Sequence, residues 1–384
     1  MNTLRNVVAT LLLPMLLATH AWAYDDLTAL SDEFDDAGSI SDWQRIYQVE
    51  GWGNNALRQF DINTTRPGRL TMEPYSSSWY GEWRGELTFK TVTGDFVITT
   101  EVEPRNRTGN GPPGSQYSLA GIMIRAPRAM TSPAQWTAGG QNYVFLSLGA
   151  ASNPGTYQYE VKTTVNSIST LDISNGAPSR ASVQVARLGP HLILLRRDDG
   201  GSWQIHRRYF RPDMPAALQA GLTVYTDWPT CESTGVEYQN RFVLTNGLRL
   251  PNGVTLNNPH PDLVAAFDYV RYTRPQVPNA LAGANLSNPA SVTDAQLLSF
   301  LGESANQPGG AVVAPRLSEP LFRPGQGFSM MLSVVPNRSY RVQNSPDLAQ
   351  WITRTNILSA GSNAWFLDSS SSSNSLGFYR TLSP

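Results

Sequence analysis

Hydrophobic and polar positions alternate with a period of two along most of this chain. In Thr93 to Pro104, Phe96, Ile98, Thr100 and Val102 fall on one side of an extended strand, with Val97, Thr99, Glu101 and Glu103 on the other. A glycine-rich break, RTGNGPPGSQ, leads to Leu119–Pro127, where Ala120, Ile122 and Ile124 alternate with Gly121, Met123 and Arg125. Two half-buried strands joined by such a break predict an antiparallel β-sandwich. His191 to Asp198 and Ser202 to Tyr209 flank Asp199-Gly200, a tight-turn pair that predicts a hairpin. Leu218, Ala220, Leu222 and Val224 mark one face of a further strand, and Ala265 to Pro275 reads as the last. Helical periodicity is absent from 27–275, and the turn spacing predicts roughly 12 to 15 strands, enough for two large stacked sheets.

Beyond that region the pattern changes. Residues 276–316 read as a linker rich in Ala, Asn, Ser and Pro. Within it Thr293 to Gln296 forms a capping box for one short helix, with Leu297, Leu298 and Leu301 on its face and Gly302 as its stop. Residues 317–384 read as a small β module of five strands, with the serine run Ser369 to Ser373 as a hairpin tip.

The first residues call for an address rather than a fold. Arg5, an apolar stretch from Val7 to Ala18 and the closing Ala21-Trp22-Ala23 predict a signal peptide, 1–23, cleaved after Ala23. The stretch is about 12 residues where a membrane span needs roughly 20, so the expected product is secreted, extracellular or periplasmic, with no transmembrane segment. Cys231 is the lone cysteine of the chain, so no intramolecular disulfide can form and the fold must rest on burial. A formal net charge of −1 argues against nucleic acid as a partner. Of 29 basic residues only Lys90 and Lys162 are lysines, and arginine is the better fork for carboxylates or sulfates.

Several segments together carry a resemblance. Asp32-Glu-Phe-Asp35 followed by Trp43, Trp79-Tyr80-Gly81, Thr93-Gly-Asp-Phe96, the Ala120-Gly-Ile-Met-Ile-Arg125 strand, Asp199-Gly-Gly-Ser-Trp203 and Phe267-Asp-Tyr269 resemble an uncharacterised secreted bacterial branch of the concanavalin A-like lectin/glucanase superfamily. The resemblance covers most of Ser31 to Pro275 and implies a two-sheet antiparallel jelly-roll sandwich. Tyr340 to Ser345, Asp347-Leu348, Trp351 and Phe378-Tyr-Arg380 resemble a small module that often ends secreted bacterial proteins, and imply an accessory or anchoring role. The superfamily holds lectins, glucanases and lyases, so fold alone does not choose between binder and enzyme.

The candidate site residues divide accordingly. Trp52, Trp79, Tyr80, Trp83 and Trp136 lie among Gly, Ser and Asn, where flat aromatic faces could stack on sugar rings of a polysaccharide or glycan. The same tryptophans could instead seal the core. Arg84-Gly-Glu86-Leu87 and Gln204-Ile-His206 resemble two motifs of alginate-lyase-type jelly rolls, with Tyr225 as the implied acid or base, although the third motif of those lyases is missing. Glu101 and Glu103 stand about 6.5 to 7 Å apart on one strand face, inside the range of about 5 to 9.5 Å used by glycosidase pairs; a solvated sheet face explains them equally. The three histidines after the leader have no zinc spacing, and Cys231 has no motif partner. No dinucleotide or phosphate loop is present, and no cofactor is expected beyond a structural Ca²⁺. Asp32, Asp35 and Asp268 could supply oxygen ligands to that ion where the first and last strands meet. The leading expectation is an exported, non-catalytic glycan binder, with a polysaccharide lyase or hydrolase, or a surface or matrix structural protein, as alternatives.

Overall fold

The computed structural model describes residues 25–305 and, within 316–382, all but 324, 334–337, 349, 360–362 and 372–376. The signal peptide therefore lies outside the described residues. Strands run in chain order as β1 (Gln44–Arg45), β2 (Leu57–Ile62), β3 (Leu70–Pro74), β4 (Glu86–Thr93), β5 (Phe96–Arg105), β6 (Ser118–Arg125) and β7 (Tyr143–Ala150). They continue as β8 (Gln158–Val165), β9 (Ile168–Asn175), β10 (Ala181–Leu188), β11 (His191–Asp198), β12 (Gln204–Phe210), β13 (Ala217–Tyr225) and β14 (Val264–Thr273). Two seven-stranded antiparallel sheets result, β1-β4-β13-β6-β7-β8-β9 and β12-β11-β10-β5-β14-β3-β2.

The period-two pattern places the core. Leu218, Ala220, Leu222 and Val224 of β13, with Ala120, Ile122 and Ile124 of β6, meet Ile98 and Val102 of β5 and Val183 and Val185 of β10 between the sheets. Burying each such aliphatic side chain contributes about 1.5–3 kcal/mol, and with no disulfide this core carries the stability. The β11–β12 hairpin turns at Gly200, whose φ of 71° suits a tight turn. β5 and β6 lie in different sheets, so the glycine-rich break carries the chain from one to the other. β14, the last strand of the sandwich in chain order, runs between β5 and β3. One expectation needs correcting: β5 and β6 are buried on both faces instead of half-buried.

The second sheet is covered by the segment read as a linker. Leu281, Leu286, Val292, Leu297, Phe300 and Leu301 pack on Val97, Ala186, Ile193 and Leu195, the outward residues of β5, β10 and β11. Gln184 of β10 clasps Gly302 through its side-chain amide, accepting from Gly302 N at 2.8 Å and donating to its carbonyl at 3.0 Å. The short helix Asp294–Leu298 has the expected capping box at Thr293 and Gln296. Apolar residues without strand periodicity thus complete a core; they do not form a free spacer.

The C-terminal module has six strands, Arg316–Arg323, Gly327–Ser333, Arg338–Ser345, Ile352–Ser359, Asn363–Asp368 and Phe378–Leu382. They form two three-stranded sheets around Met330, Leu332, Tyr340, Val342 and Phe366. Asn363–Asp368 and Phe378–Leu382 belong to different sheets, so the strands on either side of the serine run do not pair as the expected hairpin. No helix among the described residues is long and apolar enough to cross a membrane.

Candidate functional site

Loops cover the outer face of the first sheet, and the candidate site lies in that cover. Between β13 and β14 the chain makes a long excursion with two short helices, α1 (Trp228–Thr234) and α2 (Val236–Arg241). Its own small core is Cys231, Leu244, Leu250 and Leu256, with Trp83 and Trp228 against it. The Trp79–Gly85 loop runs beneath. Gln239 and Asn240 of α2 hold it: Gln239 Nε2 donates to the Arg84 carbonyl at 2.7 Å, and Asn240 Oδ1 accepts from Arg84 N at 2.8 Å. Gly85 is required there, because a Cβ would stand 2.6 Å from the Trp79 indole nitrogen.

Under these loops lies a buried ionic cluster. Trp52 Nε1 donates to Glu50 at 2.8 Å, and the other Glu50 oxygen accepts from Arg125 Nη2 at 2.6 Å. Glu86 accepts from Ala56 N at 2.9 Å and from Arg45 Nη2 at 3.1 Å. The Arg84 guanidinium, 5.4 Å from the Trp52 ring centre, donates from Nη2 to Asn54 at 2.8 Å. All five ionisable side chains are buried. Burial works to raise the Glu50 carboxyl, but Arg125, the Trp52 indole and Arg84 outweigh it and hold it below its ordinary value.

Above the cluster opens a cleft of about 370 Å³ lined by Trp52, Trp136, Val236, Glu237, Asn240 and Arg241. Trp136 is oriented by its indole N–H, which donates to Glu82 at 3.1 Å; Gly139 N and the Arg128 guanidinium hold the same carboxylate. Trp52 and Asn240 form its buried walls, the amide bonded to Arg84 N and the Glu82 carbonyl, so a hydroxyl-bearing ring would meet chiefly the Trp136 indole, the Glu237 carboxylate and the Arg241 guanidinium.

The predicted aromatic residues therefore separate. Trp52 and Trp136 share the cleft. Trp79 is wholly buried, with its indole N–H donating to Thr223 at 2.9 Å, and offers no face to a ligand. Tyr80 and Trp83 lie outside the cleft, both packed edge-on against Trp228 at centroid distances of 5.5 and 5.2 Å. Tyr80 also borders Lys162, whose ammonium donates to the Trp79 carbonyl at 2.6 Å and pairs with Glu160 at 2.9 Å. Glu237, Asn240 and Arg241 escaped the sequence reading. Nothing near them in sequence announces a site, and the excursion alone carries them to it.

The lyase residues do not converge. Arg84 precedes β4 and Tyr225 ends β13 in the first sheet, whereas Gln204 and His206 lie on β12, an edge of the second. Tyr225 is wholly buried, its hydroxyl 2.8 Å from Ser147 Oγ, and burial pushes it far above the ordinary tyrosine value. His206 packs against Tyr159 at 5.6 Å; burial, helped by Arg196, lowers its imidazole to about 4, so it is neutral at pH 7. Glu101 and Glu103 belong to a charged ladder on the second sheet. Arg69 and Arg180 stand 3.8 and 3.6 Å from Glu101, while Arg66 and Arg105 pair with Glu103. Of the expected calcium ligands Asp32 and Asp268 are engaged elsewhere, while burial and the carboxylates of Glu33, Asp268 and Asp32 raise the Asp35 carboxyl. Asp32 accepts from Phe34 N at 2.8 Å and Trp43 Nε1 at 3.1 Å, and Asp268 faces Arg69 at 3.5 Å. Asp32 and Val270 do join the first segment to β14 as expected, but through backbone hydrogen bonds of 2.8 Å. Among the described residues no group of three or more His, Cys, Asp or Glu side chains is placed to hold a metal.

No family model and no curated protein sequence matches the chain. Among solved structures it is similar to a functionally unknown protein from Saccharomyces cerevisiae, at 13% identity and TM-score 0.40 over 62% of this chain and 98% of that one. It is similar to the GH43 protein BlXynB from Bacillus licheniformis, at 12% identity and TM-score 0.40, over 65% of this chain and 40% of that one. A lectin from Bauhinia forficata in complex with GalNAc is similar at 10% identity and TM-score 0.36, over 63% and 96%. The likeness is a loose one of β-sandwich fold.

Proposed function

We propose that this is an exported glycan-binding protein, built on a concanavalin A-like sandwich, whose sugar site is the Trp52–Trp136 cleft. The observation that carries the reading is the pairing of two indoles with Asn240, Glu237 and Arg241 around one cavity of about 370 Å³. A sugar ring offers an apolar C–H face to the Trp136 indole and hydroxyls to the exposed Glu237 and Arg241, so each side of the ligand meets its complement. Dispersal of Arg84, Gln204, His206 and Tyr225 between two sheets favours binding over lyase chemistry. Export rests on the leader Met1 to Ala23.

The test is a polysaccharide panel incubated with the full chain, scored for co-sedimentation and for new reducing or unsaturated ends. The reading expects retention on at least one glycan without new ends, and loss of retention with Trp136→Ala. New ends formed by the wild type would replace it with the enzyme reading. Retention unchanged in Trp136→Ala would remove the cleft from consideration.

A further inference from the structure

Behind the cleft wall the charges do not balance. Arg45, Arg84 and Arg125 bring three guanidiniums, Glu50 and Glu86 only two carboxylates, and all five residues are buried. The excess falls on Arg84. Its Nε and Nη1 have no hydrogen-bond partner among the described residues, and the nearest carboxylate oxygen, of Glu86, stands 3.6 Å from Nη1. The acids acting on Arg84 are Glu86 and Glu50, while Arg125 and Arg45 oppose them; burial is the largest influence and lowers its pKa. A buried charge without a full partner is costly, so a site that keeps one gains when an anion arrives nearby. Arg84 borders both inner walls of the cleft. Its guanidinium lies against the Trp52 ring, and its Nη2 reaches the Asn240 carbonyl at 3.4 Å. On the rim, the Arg241 side chain is 42% exposed and meets Glu237 only at 3.9 Å, which leaves its donors available.

We propose that the cleft selects sugar rings bearing a negative group, a carboxylate or a sulfate ester, which Arg241 meets directly and the excess buried positive charge behind Trp52 favours through the wall. This rests on the glycan-binding reading and adds the ligand's charge to it. A guanidinium fork suits either oxyanion, so the two sources share one chemistry. Arg84 would act at a distance, and Arg241 would be the contact that sets specificity.

Equilibrium binding separates the possibilities. Galactan, glucan, mannan and xylan are each presented as the neutral polymer and as the sulfate ester, and the first three also in a C6-oxidised carboxylate form. Binding is followed by tryptophan fluorescence at low and high salt. One anionic form of the bound backbone should bind about tenfold tighter than the neutral polymer, the effect of one charge-assisted hydrogen bond. Which form binds tells carboxylate from sulfate. The preference should narrow as salt rises. Arg241→Ala should cut it severalfold and Arg241→Lys should keep part of it, the anionic form losing more affinity than the neutral polymer in both. Arg84→Met, with folding checked by its melting curve, should lower the preference; because that variant can fail to fold, the exposed Arg241→Glu stands beside it and should reverse the preference. Equal affinity for neutral and anionic forms overturns the charge inference and leaves the glycan reading intact. Binding of no polymer in any form overturns both.

Discussion

Gly51 lies so close to Thr131 that a Cβ on it would stand 1.8 Å from the Thr131 carbonyl oxygen. Gly51 precedes Trp52, and Thr131 opens the loop that carries Trp136, so this contact brings the two indoles to one cleft. Its φ of +68° adds a second demand that L side chains meet poorly. Gly51→Ala should therefore cost about 1–2 kcal/mol for the left-handed backbone alone, with more for the clash. Glycan retention should fall by a larger factor than in a surface variant of equal stability. Retention unchanged at a normal melting temperature would show that the loops need not touch.

Trp136 and Trp79 should respond in opposite ways to truncation. Trp136→Ala should leave the urea midpoint nearly unchanged and weaken glycan retention by about tenfold, or ~1.4 kcal/mol. Trp79→Ala opens a cavity in a wholly buried site and should cost about 3–5 kcal/mol of stability. Denaturant titration beside a pull-down checks both.

Leu301 tests whether the 277–305 segment belongs to the fold. It is 1% exposed and packs on the second sheet, so Leu301→Ala should cost about 2–5 kcal/mol. An unchanged unfolding midpoint would return the segment to the status of a spacer.

His206 sets an acid limit. Its imidazole titrates at about 4 in the fold against about 6.5 in an unfolded chain. Between those values the unfolded chain binds the extra proton, so stability is full above pH 6.5 and lost as pH falls toward 4. The loss should reach about 2–3 kcal/mol, and His206→Phe should flatten that part of the stability–pH curve. An identical curve in the variant would show that the histidine does not control it.

Chelator should not matter. Asp32 and Asp268 already accept backbone and indole N–H groups or face Arg69, so EDTA should leave the melting temperature where it is. A drop reversed by Ca²⁺ would mean that these acids rearrange around an ion, which stabilises the fold by linkage.

Much of the sandwich was legible because strand side chains alternate strictly. Leu218, Ala220, Leu222 and Val224 can face the core only together, and the Asp199-Gly200 turn admits one pairing of its flanking strands. The short helix was readable from Thr293 and Gln296 because its capping box is a local bargain between neighbours. The covering of the outer faces was not, since Val97 and Leu281, or Trp79 and Tyr143, meet only across long sequence separations. Trp79 and Trp136 look alike along the chain; one plugs a sheet and the other lines a cleft because different loops arrive over them. The charge imbalance at Arg84 is likewise a property of space. Residue order shows that Arg84 and Glu86 are neighbours, but only folding brings Arg45, Glu50 and Arg125 to them and removes the water that would have screened the difference.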